Sequence, residues 1–310
     1  MSKKATAYIG LVLVFMIWGS LYVVGSVVLK YLPTFFVMLC RFLIAFPTLC
    51  LIVDIRGKAW KEGVDDQGKK TKLDTKGWKF AILLGLLGYA VSVGIQLLGT
   101  KYAGSSMASL INALNPVTIS ILAVPILGEK LTRNKVVGIL LAVFGVYLIL
   151  GTGGNVNIPG VLLSLGSVIL WSLVSCLTRE TLREYNSLVI TRNAVGVAIA
   201  GELVFALIEH VTLHPDMTVN PTVVFGLLYL GIVCTGISYI LWNGGLAVLP
   251  ASNCSALYPI QPLTSTFLGI LLFHEVIGWH FVTGTVCILG GVLLCLLGDR
   301  IMKKPAMIND

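Results

Sequence analysis

Ten charge-poor apolar runs divide the chain, at residues 7–29, 35–53, 78–99, 105–127, 135–151, 159–178, 187–209, 223–243, 253–273 and 279–298. Each is close to the roughly 17 to 25 residues that a helix needs to cross a ~30 Å hydrocarbon layer. They are continuously apolar rather than alternating, which excludes barrel strands. Only 12% of the 310 residues are charged and mean hydropathy is +0.93, too little charge to coat a surface in water. The sequence therefore predicts an all-α membrane protein of ten transmembrane helices. The first run follows a basic Met-Ser-Lys-Lys start. It is too long for a signal peptide and lacks a small-residue cleavage site, so it reads as a retained helix.

Charge distribution predicts the orientation. With the N-terminus cytoplasmic, eighteen of the 22 Lys and Arg lie on the inner side, eight of them between Arg56 and Lys79. The outer segments hold only Lys30 and Lys101, and Arg41 and Arg192 lie inside runs. This is a positive-inside pattern, placing both termini in the cytoplasm of a cell-membrane protein. Basic residues scattered over short loops, with no accompanying fold motif, argue against nucleic acid as a partner. The seven cysteines sit in or beside apolar runs without a Cys-x-x-Cys pair and read as packing residues.

The two halves repeat one another. A shift of 146 residues places Ser109 on Ser255, Asn115-Pro116 on Gln261-Pro262, Glu129 on Glu275, Gly138 on Gly284 and Gly145 on Gly291. Earlier in the chain, Trp18 falls on Trp171 and Arg41 on Arg192. The offset shrinks because the charged loop 54–77 is longer than its counterpart at 210–222; that loop is expected to be cytoplasmic, mobile and without structure. Two units result, 1–153 and 154–310, each of five helices. An odd number inverts the second unit, and inverted repeats provide the two packings of alternating access.

Several landmarks carry a family resemblance. Trp18-Gly19, Arg41-Phe42, Gly128-Glu129-Lys130-Leu131-Thr132 and the Gly138…Gly145-Val146 pattern recur more loosely as Trp171-Ser172, Arg192-Asn193, His274-Glu275-Val276-Ile277 and Gly284…Gly291-Val292. This ordered set resembles the EamA family of the drug/metabolite transporter superfamily. The resemblance implies a ten-helix transporter, often an exporter of amino acids, related metabolites or toxic compounds. The superfamily's four-helix multidrug members carry an acid in the middle of their first helix. Here Val14-Phe15-Met16-Ile17-Trp18 has none, so their cation-for-proton mechanism does not carry over.

Polar side chains inside a membrane face the bundle or a wet cavity. The fourth run carries Ser105, Ser109, Asn112 and Asn115 at helical spacing, and the ninth aligns Ser255, Tyr258 and Gln261 with the last three. The third gives Tyr89, Ser92 and Gln96; the eighth gives Thr235, Ser238, Tyr239 and Trp242. The sixth gives Ser164, Ser167, Trp171, Ser175 and Thr178, and the first gives Trp18 and Tyr22. These six runs should wall a central cavity, with the second and seventh contributing partly and the fifth and tenth acting as buttresses packed through glycines. Serines at helix contacts are as readily explained by close backbone approach. Pro116 and Pro262 should free the carbonyls of residues 112 and 258, either kinking the bundle or marking a solute site.

Three charges complete the set. Arg41 and Arg192 either snorkel and pin carbonyls or clamp a carboxylate. Glu202 aligns with Leu51, so the shared scaffold does not require it. It is a candidate to carry a coupling proton or hold a cationic solute, unless it snorkels to the outer face. Glu129 and Glu275 read as caps or gate elements.

Rival classes find less support. No phosphate loop, Gly-x-Ser-x-Gly elbow or paired prenyl-transfer aspartates are present, so neither an enzyme nor a cofactor is expected. His274 and His280 are six residues apart, which puts them off one helical face and excludes a zinc pair. A channel would want a symmetric ring of charges or carbonyls. The sequence thus predicts a secondary carrier, working by alternating access with protons as a candidate coupling ion, of a small metabolite or an amino-acid-like, amine-bearing or drug-like solute. A gradient-independent facilitator or channel-like permease and a transport-inactive receptor or scaffold are the alternatives. Direction, coupling ion, solute and oligomeric state stay open.

Overall fold

A computed structural model describes residues 3–57, 63–65, 67–127, 132–150, 157–249, 254–255, 257–274 and 278–301. Glu129 and Glu275, read above as caps, lie outside these residues. The described residues are helical apart from turns, short loops and two isolated bridges. The helices are α1 (Lys3–Val28), α2 (Thr34–Gly57), α3 (Thr75–Ala103), α4 (Ser105–Ile126), α5 (Arg133–Leu150), α6 (Ile158–Thr181), α7 (Ser187–Leu213), α8 (Pro221–Val248), α9 (Ile260–Phe273) and α10 (Trp279–Ile301). Seven of them, α1 to α4 and α6 to α8, are long and apolar enough to cross a membrane among the described residues. The chain is an all-α, multi-pass membrane protein.

Polar residues start several helices. Asp74, Asn157, Asn186 and Asn220 each turn a side-chain oxygen onto backbone N–H groups of the first turn of α3, α6, α7 and α8. The start of α2 is capped from a distance. Glu209 on α7 accepts from the N–H of Thr34 (2.9 Å) and of Phe35 (2.7 Å), setting a carboxylate on the positive end of that helix.

Two backbone irregularities occur twice. α3 widens into a π-helix over Leu84–Ser92 and α8 over Tyr229–Ile237, nine residues each and 145 apart. α4 breaks at Ala113–Leu114, and a turn at 257–259 precedes α9. Proline explains the breaks, because Pro116 and Pro262 have no N–H to give the carbonyl one turn back. Those carbonyls are nonetheless satisfied. The Asn115 amide donates to the Asn112 carbonyl at 2.8 Å, and the Gln261 N–H donates to the Tyr258 carbonyl at 2.9 Å.

Helix contacts are mirrored too. α1 packs on α9 and α6 on α4; α3 packs on α6 and α8 on α1; α2 packs on α7 and α5 on α10. Glycine allows the closest approach in the last pair. A Cβ on Gly145 would lie 2.7 Å from the Gly284 carbonyl oxygen, and one on Gly291 would lie 2.5 Å from that of Gly138. Each glycine of one helix thus meets the counterpart of the other's. The outer faces of these two helices, including Leu140, Phe144, Tyr147 and Val286, are exposed apolar surface suited to lipid.

The loop expected to be mobile is tied down where it is described. α2 continues to Gly57, and residues 63–65 and 67–74 dock onto the turn between α6 and α7. Lys70 bridges to Tyr185, its N–H donating to the Glu184 carbonyl (3.0 Å) and its carbonyl accepting from Asn186 (2.9 Å). Around it, the Lys70 ammonium meets Glu184 (2.5 Å) and Asp74 (3.0 Å), Lys76 meets Glu184 (2.7 Å), and the Tyr185 hydroxyl donates to Asp74 (2.6 Å). Bonds from Tyr185, the Gly77 N–H and Lys70, in that order, hold the Asp74 carboxyl well below its ordinary range. Bonds from Lys70 and then Lys76 lower the Glu184 carboxyl as well. Glu184 and Asp74 in turn raise Lys70, while burial and then Asp74 push the Tyr185 phenol up to about 12. Sequence missed this docking because it depends on pairing across more than a hundred residues.

Candidate functional site

The centre of the bundle is a cluster of aromatic rings around Trp18. Its ring meets Phe15 (5.8 Å between centroids), Trp171 (5.7 Å), Trp242 (5.6 Å) and Tyr239 (6.3 Å), mostly edge to face. Tyr239 lies 4.5 Å from Tyr89, and Phe15 lies 4.6 Å from Tyr258. Such pairs contribute about 0.5–1.5 kcal/mol each beyond their buried area. Hydrogen bonds fix the polar edges. Trp171 donates to the Tyr258 hydroxyl (2.7 Å), Gln96 to the Tyr22 hydroxyl (2.7 Å), and Trp18 to the Cys234 carbonyl in the π segment of α8 (3.1 Å).

These groups enclose a cavity of about 20 Å³, room for the centre of a single water. It is lined from α1 (Trp18, Leu21, Tyr22), α2 (Arg41), α3 (Ser92, Val93, Gln96), α4 (Asn112), α6 (Ser167, Trp171), α8 (Tyr239), the turn before α9 (Tyr258) and α9 itself (Gln261). All six helices expected to form its wall contribute, and α7 does not.

The wall carries unspent polar groups. Asn112 Nδ2, the Tyr239 hydroxyl and Gln261 Oε1 are buried without a hydrogen-bond partner among the described residues. Each orphan of this kind costs about 1–3 kcal/mol. Arg41 is 2% exposed, so it does not snorkel. Its Nε donates to Thr235, Nη2 reaches the Cys234 carbonyl at 3.5 Å, and Nη1 faces the Met38 sulfur at 4.0 Å. No carboxylate pairs with it among the described residues. A guanidinium with five donors thus retains capacity for an anionic group.

Other candidates stand behind this wall. Tyr89 is held by Asn243 (3.1 Å), which also donates to Thr191 (2.6 Å), and Trp242 packs on Phe15, Trp18 and Tyr258. Asn115 is occupied within α4 and accepts from Ser172 at 3.0 Å, and Ser175 donates to the Trp171 carbonyl. Arg192 is half-buried and makes no hydrogen bond or ion pair among the described residues. Phe15 is the central ring that sequence reasoning missed, hidden in an apolar run.

Glu202 is fully buried, and neither of its oxygens has a hydrogen-bond partner among the described residues. It does not line the cavity. It sits against α3, one oxygen 3.6 Å from where a Cβ on Gly94 would lie, with Phe35 alongside. Arg41 and Glu209 are the charges that act on it.

The sequence profile of the EamA-like transporter family matches residues 5–151 and 158–297, nearly the whole chain. Similar chains include an "uncharacterized transporter" of Archaeoglobus fulgidus, 26% identical over 287 residues that cover 93% of this chain and 97% of that one. Another is the "uncharacterized transporter YetK" of Bacillus subtilis, 26% identical over 307 residues that cover 96% and 89%. A solved crystal structure, 20% identical, overlays 98% of this chain and 100% of its own with a TM-score of 0.69. The chain belongs to the EamA-like transporter family.

Proposed function

We propose that this transporter is a secondary carrier of ten spanning helices. Its two five-helix units, 1–153 and 154–310, lie inverted in the cell membrane with both termini cytoplasmic. The paired π segments, paired helix breaks and mirrored contacts support the repeat. The positive-inside count supports the orientation. Alternating access by two near-equal packings of such units moves the solute, most simply outward as an exporter.

The observation that carries the reading is the occluded centre. An aromatic box holds an unpaired guanidinium and three unpartnered polar atoms, yet has no room for a solute until it opens. Asn112, Tyr239 and Gln261 would exchange their unmet capacity for bonds to the solute, and the rings would cover its apolar part. This chemistry suits an amino-acid-like or amine-bearing metabolite. Glu202 carries the coupling proton, since an unpaired charge at that depth is costly and a proton is the partner it lacks. The alternative is a facilitator driven by the solute's own gradient, favoured by the position of Glu202 off the cavity wall.

The test is uptake into proteoliposomes of amino acids, organic amines and cationic drugs, with and without a pH gradient, in wild type and Glu202→Gln. Gradient-driven flux lost in the variant supports the coupled carrier. Flux indifferent to both leaves the facilitator. No flux of any compound overturns the carrier.

A further inference from the structure

A second cavity, of about 280 Å³, opens beyond the first, between the ends of α1, α3 and α9 and the start of α4. Lys30 and Lys101, the two basic residues of the predicted outer segments, both line it although 71 positions separate them. Ser26, Thr100 and Ser105 add polar groups, and among the described residues no acid lines it. The Lys30 ammonium stands 5.2 Å over the Phe273 ring, which brings its charge across the opening.

Helical register joins this cavity to the centre. On α1 and its last turn, Tyr22, Ser26 and Lys30 follow at steps of four; on α3, Gln96 and Thr100 do the same. Residues four apart share a helix face one turn up. Tyr22 and Gln96 line the central cavity, while Ser26 and Thr100 line the outer one. The 2.7 Å hydrogen bond from Gln96 to Tyr22 therefore lies one helical turn inward of Ser26 and Thr100.

We propose that the outer cavity is a vestibule on the solute path, selective for small solutes bearing a carboxylate or similar oxyanion, and that the Gln96–Tyr22 pair is its inner gate. Two lysines, facing no acid among the described residues, set a positive potential at the mouth, which the first turn of α4 reinforces. The volume suits one solute of amino-acid size. This rests on the carrier reading above, but its test needs no transport.

Cysteine replaces Ser26, and intact cells are treated with membrane-impermeant thiosulfonates, one bearing a sulfonate and one a quaternary ammonium. The parent chain without Ser26→Cys is the control for native thiols. The expected result is labelling from outside with the anionic reagent favoured, and a fall of about five-fold in that preference in the Lys30→Gln/Lys101→Gln background. Equal rates, or a preference indifferent to the lysines, would overturn the anion selectivity. Labelling only in inverted vesicles would overturn the proposed orientation, while the ratio measured there still decides the selectivity. Labelling from neither side would overturn the vestibule. For the gate, Asn112→Cys should be silent to external reagent and become reactive when Gln96→Ala is added; reactivity in both would show that no partition exists there.

Discussion

The second and seventh helices occupy equivalent places in the two halves and pack on each other, yet they hold their charges differently. Arg41 on α2 is buried on the cavity wall, whereas its counterpart Arg192 on α7 is half-buried and unpaired. Glu202 on α7 is wholly enclosed, whereas its counterpart Leu51 on α2 is 61% exposed to the lipid side. The same contrast appears at Gly19, where a Cβ would lie 2.7 Å from the Gln261 carbonyl. Its counterpart Ser172 instead donates to Asn115 at 3.0 Å. The backbone devices recur while the side-chain chemistry does not. In the proposed carrier, a repeated frame would keep two packings close in energy, and unrepeated chemistry would decide what binds and when they exchange.

That contrast can be broken most strongly at the arginines. Arg41→Ala should lower initial uptake rates by about 10–100-fold, from the loss of charged hydrogen bonds in a buried site, and Arg41→Lys should rescue little because a point ammonium lacks the fork. Arg192→Gln should keep most activity. Equal losses at both positions would erase the asymmetry. The frame makes the opposite demand. Gly145→Val and Gly291→Val should each destabilise the protein by about 1–3 kcal/mol through overpacking, and by similar amounts, read as melting in detergent. Unequal shifts would show that the seam is not symmetric.

A smaller effect is expected at Glu202→Gln, which should abolish the response to a pH gradient while sparing solute exchange. Leu51→Ala should change neither. The smallest concerns the docked loop. Asp74 and Glu184 have depressed proton affinities, so their contribution is present above the ordinary carboxylate range and is lost only as pH falls through the lowered values. Lys70 is raised, so its contribution persists until pH climbs past its elevated value. Limited trypsin cleavage at Lys69, Lys70 and Lys72 should therefore be slow and flat between about pH 5 and 9, and faster in Asp74→Asn.

Hydropathy alone located the helices, because lipid imposes a length and forbids charge over that length. Repeat spacing pointed to Asn112, Tyr258, Gln261 and Arg41, whose polar character is conspicuous among apolar neighbours. What stayed hidden has a common cause. Phe15 looks like any apolar filling until its ring partners are known. Asn115 shares the stripe of Asn112, but only the structure reveals that its amide is used within the helix. Glu209 reads as an acid near the end of a span, and its role as the cap of α2 depends on a helix 174 residues away in sequence.

The seam between α5 and α10 has a mechanical consequence. Where two backbones approach within the width of one carbon atom at two points, sliding would drive carbonyl oxygens into neighbouring main chain. Among the described residues these helices contribute nothing to the cavity wall, and their outer sides are exposed apolar surface. In the proposed carrier they would stay still while the helices around the cavity rearrange, as an axle carries moving parts without sharing their motion.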